Sequence, residues 1–262
     1  MQKILIIGKK SFIGSNLNIY LSKFFKVDKY TFETVMKKND DFFNNYSHVI
    51  NTSIHKNYIK KKYHHKFDLD RKFISKFQKI NFFYIYLNSR KIYLSKENIK
   101  ENSIVSPIGN YGRNKFKTEQ FLKKNISTKL VSLRISNVIG KRKYNDTRNN
   151  HKLFLDNFFK FKKEKKKISI HDDFKDFISI DQFSRVIYEI IKLKIKGTYN
   201  VSIGEKIYVS EIVKWLDKDF MRKVRFLMGS KDSFTLSNKK LLKKIKIRIN
   251  KNQLKLFCKN LI

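Results

Sequence analysis

The chain has 262 residues, 41% of them hydrophobic, enough for a real core in one compact unit or in a nucleotide domain with a small second lobe. Its one cysteine, Cys258, excludes an internal disulfide and a cysteine-rich metal site and suits a reducing cytoplasm, while no run approaches the ~18 apolar residues of a membrane span and the apolar stretch after Met1-Gln2-Lys3 is too short for a signal peptide. A net charge of +38 ordinarily points to nucleic acid, but alanine is absent, proline occurs once and Lys, Asn, Ile, Phe and Tyr abound, so compositional bias accounts for much of the charge and no specific nucleic-acid partner is expected.

The apolar run Ile4-Leu5-Ile6-Ile7 leads directly into Gly8-Lys9-Lys10-Ser11-Phe12-Ile13-Gly14-Ser15-Asn16-Leu17. This is a strand, a glycine-bearing turn and a helix, the arrangement in which a dinucleotide pyrophosphate meets a helix N-terminus. Gly8 and Gly14 allow close backbone approach, whereas Ser11 stands where a second glycine is usual. A triphosphate loop is excluded because Gly14 is followed by Ser15 and Asn16 rather than lysine. Ile13, Leu17, Tyr20, Leu21 and Phe24 share a helical face, and a second strand is expected near Lys26 to Thr31. An acid about twenty residues beyond the glycines usually holds the adenosine ribose. Asp28 has that distance but can fall inside the strand, while Glu33, Lys37 and Lys38 lie beyond it, so the sequence admits NAD or NADP.

His48-Val49-Ile50 reads as a strand ending at Asn51-Thr52-Ser53, and Asn81 to Leu87 as another ending at Asn88-Ser89. A helix from about Tyr111 to Lys124, a strand from Lys129 to Ile135 and a helix after Asp181, with Val186, Ile187, Ile190 and Ile191 inward, complete a strand–helix alternation. The expected fold is therefore α/β, a Rossmann-like doubly wound parallel sheet. Ligands of such sheets bind beyond the carboxyl ends of the strands, so Gly8, Asn51, Ser89 and Asn137 are expected around one crevice. The run from Lys162 to Lys167 reads as a solvated helix end. His64-His65 and His171-Asp172-Asp173 lack a partner set with metal spacing, and Trp215 reads as core.

Tyr111-Gly112-Arg113-Asn114-Lys115 is the candidate chemistry. On a helix Tyr at i and Lys at i+4 share a face, and a nearby ammonium lowers a phenol's pKa so that it can exchange a proton with a hydroxyl or carbonyl. Tyr58/Lys62 and Tyr188/Lys192 have the same spacing. Only Tyr111 follows a strand with a polar end, comes soon after Pro107, and opens a helix that leads to another strand.

With these residues the chain resembles the extended short-chain dehydrogenase/reductase family, the NAD-dependent epimerase/dehydratase group that acts on nucleotide sugars. Gly8 to Leu17 is similar to the family's Gly-x-x-Gly-Phe-Ile-Gly-Ser-x-Leu opening, Val49 to Ser53 to its Val-Ile-Asn-x-Ala strand end, and Ser89 to Tyr93 to the segment headed by the catalytic Ser or Thr. Pro107 with Tyr111 to Lys115 resembles Pro-x-x-x-Tyr-Gly-x-Ser-Lys. Leu133 to Gly140, Asp176 to Asp181 and Gly197 to Val201 are similar to Leu-Arg-x-x-Asn-Val-x-Gly, Asp-Phe-Ile-x-Val-Asp and Gly-x-Tyr-Asn-Val.

The resemblance implies an NAD(P)-dependent nucleotide-sugar epimerase or keto-sugar reductase, cytoplasmic, of the kind used in surface polysaccharide or glycan precursor synthesis. It implies Tyr111 as acid/base, Lys115 as the group that lowers its pKa and holds the nicotinamide ribose, and Ser89 at the reacting oxygen. Gly8, Ser11, Phe12, Ile13, Gly14, Asn51 and Thr52 would join Lys115 in holding NAD or NADP, Asn137 would contact substrate, and no metal is called for. Residues 1–140, completed by about 176–203, would form the nucleotide domain; 141–175 and 204–262 would form a small substrate-binding lobe in which Arg142 is the expected phosphate contact. The expected partner is the nucleotide-sugar substrate, with no membrane, and a homodimer is allowed. Asp68 or Asp70 falls where the family usually has Asn. Arg90 and Lys91 stand where the 4,6-dehydratases carry an acidic pair, which argues against elimination of water. A catalytically reduced sensor or scaffold is the other reading, motivated by Ser11.

Overall fold

The computed structural model describes residues 2–77, 80–143, 154–164, 167–228 and 232–261. In chain order the first half runs Lys3–Ile7 (β1), Phe12–Leu21 (α1), Lys26–Tyr30 (β2), Phe32–Met36 (α2), His48–Asn51 (β3), Lys56–Lys60 (α3), Leu69–Lys76 (α4), Phe83–Ser89 (β4), Asn110–Ile126 (α5) and Leu130–Ile135 (β5). Asn137–Ile139 (β6), Phe154–Lys163 (α6), Ile168–His171 (β7), Phe174–Lys175 (β8), Phe177–Ser179 (β9), Ile180–Lys192 (α7) and Gly197–Val201 (β10) follow. The chain closes with Ile207–Tyr208 (β11), Val209–Leu216 (α8), Val224–Leu227 (β12), Lys239–Leu242 (α9) and Lys251–Lys259 (α10).

Six strands pair in parallel in the order β10-β5-β4-β3-β1-β2. This is the doubly wound sheet expected from the sequence. The chain moves outward from β1 to β2 and then returns to the other side of β1 as β3, so the switch point lies between β1 and β3, where such sheets open a crevice at their carboxyl ends. Successive residues alternate between faces. Ile4, Ile6, Ile85, Leu87, Val131 and Leu133 enter a core shared with α1 and α7, while Leu5, Ile7, Tyr84, Tyr86 and Leu130 enter a second core with α2, α4 and α5. A sheet buried on both faces needs apolar residues at every position rather than alternate ones, which is why β1 reads as an unbroken aliphatic run.

Helix starts follow local chemistry. The Ser11, Thr31 and Asp68 side chains accept first-turn N–H groups of α1, α2 and α4, and Ser179 with Gln182 forms a reciprocal capping box on α7. The strongly amphipathic α7 buries Val186, Ile187, Ile190 and Ile191, the residues that its sequence periodicity singles out. Beyond the main sheet, β6 pairs with β9, β7 with β12 and β8 with β11. Leu155 and Phe158 of α6, with Ile212, Val213 and Trp215 of α8, extend the α1/α7 core. The lysine-rich end of α6 is not wholly solvated, since Lys162 pairs with Asp217 at 2.7 Å. No described helix is long and apolar enough to cross a membrane.

Candidate active site

The turn after β1 is shaped by two glycines. Gly8 has φ +113°, and a Cβ there would lie 2.4 Å from Thr52 Oγ1; a Cβ on Gly14 would lie 2.5 Å from the same atom. Neither position admits a larger residue without displacing the end of β3. Ser11, the departure in this turn, points inward. Its Oγ accepts the Gly14 N–H at 2.9 Å and lies 2.6 Å from Thr52 Oγ1. Because the Thr52 hydroxyl donates to the Ile7 carbonyl at 2.8 Å, it is the Ser11 hydroxyl that donates to Thr52. A hydroxyl chain thus replaces a bare glycine turn. The N–H groups of Phe12 and Ile13 have no acceptor among the described residues, as expected for the first turn of a helix.

Asp28 lies within β2, where it pairs with Lys3 at 2.9 Å and accepts a hydrogen bond from Tyr46. Its carboxylate is therefore engaged on the strand rather than at the strand's end. Beyond β2, Glu33, Thr34, Lys37 and Lys38 line an open hollow.

Strand register brings the other polar ends together. Ile7 pairs with Asn51, Asn51 with Tyr86, and Ser89 with Ile135, so Gly8, Thr52, Ser89 and Asn137 sit at one edge of the sheet. Ser89 caps the short turn Arg90–Ile92, its Oγ accepting the Lys91 N–H at 3.2 Å. Asn88 Nδ2 and Ser136 Oγ, flanking that Ser89–Ile135 pair, are buried without a partner among the described residues.

Helix α5 is pinned beside this edge from several directions. Lys115 is buried, and its Nζ donates to the Leu87 carbonyl at 2.8 Å while facing the Tyr86 ring at 4.7 Å and the Tyr58 ring at 5.7 Å. Tyr86 OH donates to the Lys115 carbonyl at 3.0 Å, and Asn114 Nδ2 donates to the carbonyls of Tyr58 and Lys61 at 2.7 and 2.9 Å. At Gly112 the backbone of α5 meets the turn after Ser89: an added Cβ would be 2.1 Å from the Lys91 carbonyl oxygen. Tyr111, one turn before Lys115, is half-buried at the start of this helix. The other two Tyr/Lys pairs are built differently. Tyr58 is buried with its OH 2.6 Å from Thr118 Oγ1, and burial holds its phenol well above the usual range. Tyr188 packs against Phe24 and Phe25.

Asp70, one of the two acids that the sequence left open at the position where Asn is usual, reaches the end of β3. Its Oδ1 accepts from Asn51 Nδ2 at 3.0 Å and from Tyr84 OH at 2.7 Å. Burial pushes its carboxyl up to about 6 against the opposing pull of the Lys115 charge. Asp68, two residues earlier, instead caps α4 and accepts from Tyr63 and Thr118.

Several polar motif residues turn out to be internal clamps. Arg134 donates to Glu119 Oε2 at 2.8 Å, to Oε1 at 3.2 Å and to the Glu101 carbonyl at 2.8 Å. Asp176 accepts backbone N–H groups of Ile203, Gly204 and Leu236, and Asn200 Nδ2 donates to the carbonyls of Ile99 and Ser237. Asn137 starts β6, and Arg142 donates to Asp156 at 2.8 Å. Residues 144–153, within the lobe expected from the sequence, lie outside the described residues.

No family model matches the chain, and no curated protein matches it. Solved structures do. A UDP-N-acetylglucosamine 4-epimerase from Methanobrevibacter ruminantium, in complex with UDP-N-acetylmuramic acid, is 16% identical over 99% of this chain and 96% of its own, with a TM-score of 0.80. A dTDP-4-dehydrorhamnose reductase from Clostridium acetobutylicum is 17% identical over 99% and 98%, with a TM-score of 0.72. A dTDP-glucose 4,6-dehydratase from Bacillus anthracis, in complex with NAD, is 13% identical over 96% and 92%, with a TM-score of 0.72. At these identities the likeness is one of architecture, and the chain has the fold that these three structures share.

Proposed function

We propose that the protein is an NAD(P)-dependent enzyme that epimerises nucleotide sugars or reduces keto-sugar nucleotides, serving polysaccharide or glycan precursor synthesis. The observation that supports this reading is Ser89 at the carboxyl end of the same parallel sheet whose first strand ends in the glycine turn, with α5, which carries Tyr111 and Lys115, packed against the turn after Ser89. The residues present fit a dinucleotide. Gly8 and Gly14 let the turn pack directly against Thr52, where a Cβ would clash, and the N–H groups of Phe12 and Ile13, which have no acceptor among the described residues, are available to a pyrophosphate at the helix N-terminus, while Ser11 Oγ caps the Gly14 N–H and donates to Thr52. When bound, a nicotinamide supplies hydride transfer.

The chain's own residues do the rest. Ser89 donates a hydrogen bond to the reacting oxygen of the sugar. Tyr111 takes the proton from that oxygen as a hydroxyl is oxidised and returns it as a carbonyl is reduced. Lys115, one helical turn after Tyr111, holds a buried positive charge against the Leu87 carbonyl and the Tyr86 and Tyr58 rings. Dehydration is disfavoured because Arg90 and Lys91 follow Ser89. The carboxylate that pairs with them, Asp232, is tied to both, and although its burial acts the other way these cations hold it well below the usual range, which makes it a weak base.

Thermal melts with NAD(H) and NADP(H) test the reading first, since a ligand that binds only the folded state raises the melting temperature. A rise with either is expected, followed by turnover of a nucleotide sugar from a panel. A reductase oxidises one reduced cofactor per product, whereas an epimerase leaves the near-ultraviolet absorbance of the reduced nicotinamide unchanged. A dinucleotide-induced rise with no turnover of any nucleotide sugar would leave a sensor or scaffold in place of an enzyme. No shift with either dinucleotide would overturn the cofactor site itself.

A further inference from the structure

Immediately beyond Ser89 the chain gathers positive charge around one carboxylate. Arg90 is buried, with its guanidinium 3.8 Å from the Phe234 ring centroid and Nη2 donating to Asp232 Oδ2 at 2.5 Å. Lys91 Nζ donates to the same oxygen at 2.8 Å, Lys175 Nζ lies 3.7 Å from it, and Ser95 Oγ donates to Oδ1 at 3.1 Å. Lys175 is shared, at 3.7 Å, with Asp173. Arg90 Nε is buried without a partner among the described residues. A cation buried like Arg90 requires a counter-charge, but one ion pair would satisfy it. Here Lys91 and Lys175 converge on the same carboxylate.

The cluster is reachable. The side chains of Lys91 and Asp232 are 47% and 33% exposed, against 4% for Arg90, so Arg90 forms the floor and the others the open rim. It is also close to the chemistry: Lys91 donates its own N–H to Ser89 Oγ, and two residues of chain span at most about 7.6 Å between Cα atoms. That is within reach of a substituent on a sugar whose reacting oxygen meets Ser89.

We propose that Arg90, Lys91 and Lys175 are the seat of a carboxylate carried by the substrate's sugar, and that Asp232 fills this seat until substrate displaces it. The substrate class is then a nucleotide-linked acidic sugar, such as a hexuronate. This rests on the reading of Ser89 as the group at the reacting oxygen. A carboxylate is favoured because the seat already holds one, with donors arranged for both oxygens of a planar group. Exchanging Asp232 for another carboxylate keeps the buried Arg90 charge compensated. A neutral hydroxymethyl group at the same place would leave it unpaired, so neutral sugars are selected against by the same contacts.

The experiment is equilibrium binding to the full chain in the presence of NAD(H) or NADP(H). The probes are matched pairs, UDP-glucuronate with UDP-glucose and GDP-mannuronate with GDP-mannose, alongside UDP and GDP alone. One acidic member is expected to bind at least about tenfold more tightly than its neutral partner, the scale of a charge-assisted contact. Lys91→Gln, at the exposed rim, should reduce that preference several-fold, with Arg90 and Lys175 retaining the remainder, while leaving binding of the free nucleotide diphosphate unchanged. Asp232→Asn should tighten the acidic ligand by removing its internal competitor. Equal or tighter binding of the neutral partner overturns the proposal while leaving the proposed function standing. So does a preference that Lys91→Gln leaves unchanged. Loss of free UDP or GDP binding in Lys91→Gln would assign the cations to the diphosphate and overturn the sugar-carboxylate seat. Failure of every nucleotide sugar, neutral and acidic, overturns both readings.

Discussion

Replacing Gly112 by alanine isolates the close approach of α5 to the turn after Ser89. An added Cβ would meet the Lys91 carbonyl oxygen at 2.1 Å, its carbon at 2.9 Å and Pro107 Cβ at 3.0 Å. These neighbours are backbone and a proline ring, none of which can swing away, so α5 and the Ser89 turn must separate by roughly 1 Å to reach ordinary contact. Overpacking of this kind costs about 1–3 kcal/mol, and the better helix propensity of alanine returns about 1 kcal/mol. The net loss is about 0–2 kcal/mol, which lowers the melting temperature by up to about 8 °C for a chain of this size. The catalytic effect is larger than the stability effect, because a misplacement near 1 Å costs on the order of 100-fold in rate. Gly109→Ala is the matched control: nothing lies within 4 Å of its Cβ position, so it should change stability by no more than about 1 kcal/mol and leave turnover intact. Melting curves and steady-state kinetics on the pair decide the matter. If Gly112→Ala and Gly109→Ala behave alike, the close approach of α5 to the Ser89 turn does not govern the site.

Tyr111→Phe should reduce turnover at least ~100-fold with dinucleotide binding nearly unchanged, whereas Tyr188→Phe should stay near wild type and Tyr58→Phe should lose only the stability of one buried hydrogen bond, about 1 kcal/mol; a full loss in either of the latter would relocate the chemistry. His48 is fully buried, and burial pushes its imidazole down from 6.5 to about 4. The unfolded chain therefore binds a proton between those values that the folded chain refuses, and stability should fall on acidification from pH 6.5 to 4 by about 1.4 kcal/mol per unit. Urea titrations of wild type and His48→Gln across that window should diverge, and parallel curves would refute the assignment. Glu119→Gln leaves the buried Arg134 guanidinium without its counter-charge and should cost about 3–5 kcal/mol; an unfolding free energy lowered by less than about 1 kcal/mol, the scale of a surface pair, would mean that the pair is solvated.

The sheet was legible because its strands are short aliphatic or aromatic runs that stop at polar residues, and α7 because its apolar spacing is unbroken. The five-residue helices α2 and α3 were not, since each covers little more than one helical turn and is set by Thr31 and His55 caps rather than by periodicity. Among site residues, Ser89, Tyr111 and Lys115 sit on motifs whose spacing is local. Asp70 and Asp232 matter through partners distant in sequence: Arg90 and Asp232 are 142 positions apart, and no local pattern reports such a pair. Arg134, Asp176 and Asn200 illustrate the converse. Their motifs were visible, but only the folded chain reveals that these side chains tie loops together rather than point toward a ligand.

The hydroxyl chain from Gly14 through Ser11 and Thr52 to the Ile7 carbonyl makes positions 11 and 52 epistatic. Thr52→Ala alone strands the Ser11 hydroxyl without its acceptor, and Ser11→Gly alone leaves the Thr52 oxygen facing the two glycines with nothing donating to it. The double change Ser11→Gly with Thr52→Ala removes donor and acceptor together. Positions 11 and 52 are therefore coupled through one hydrogen bond, whose energy a double-mutant cycle across Ser11→Gly and Thr52→Ala measures directly.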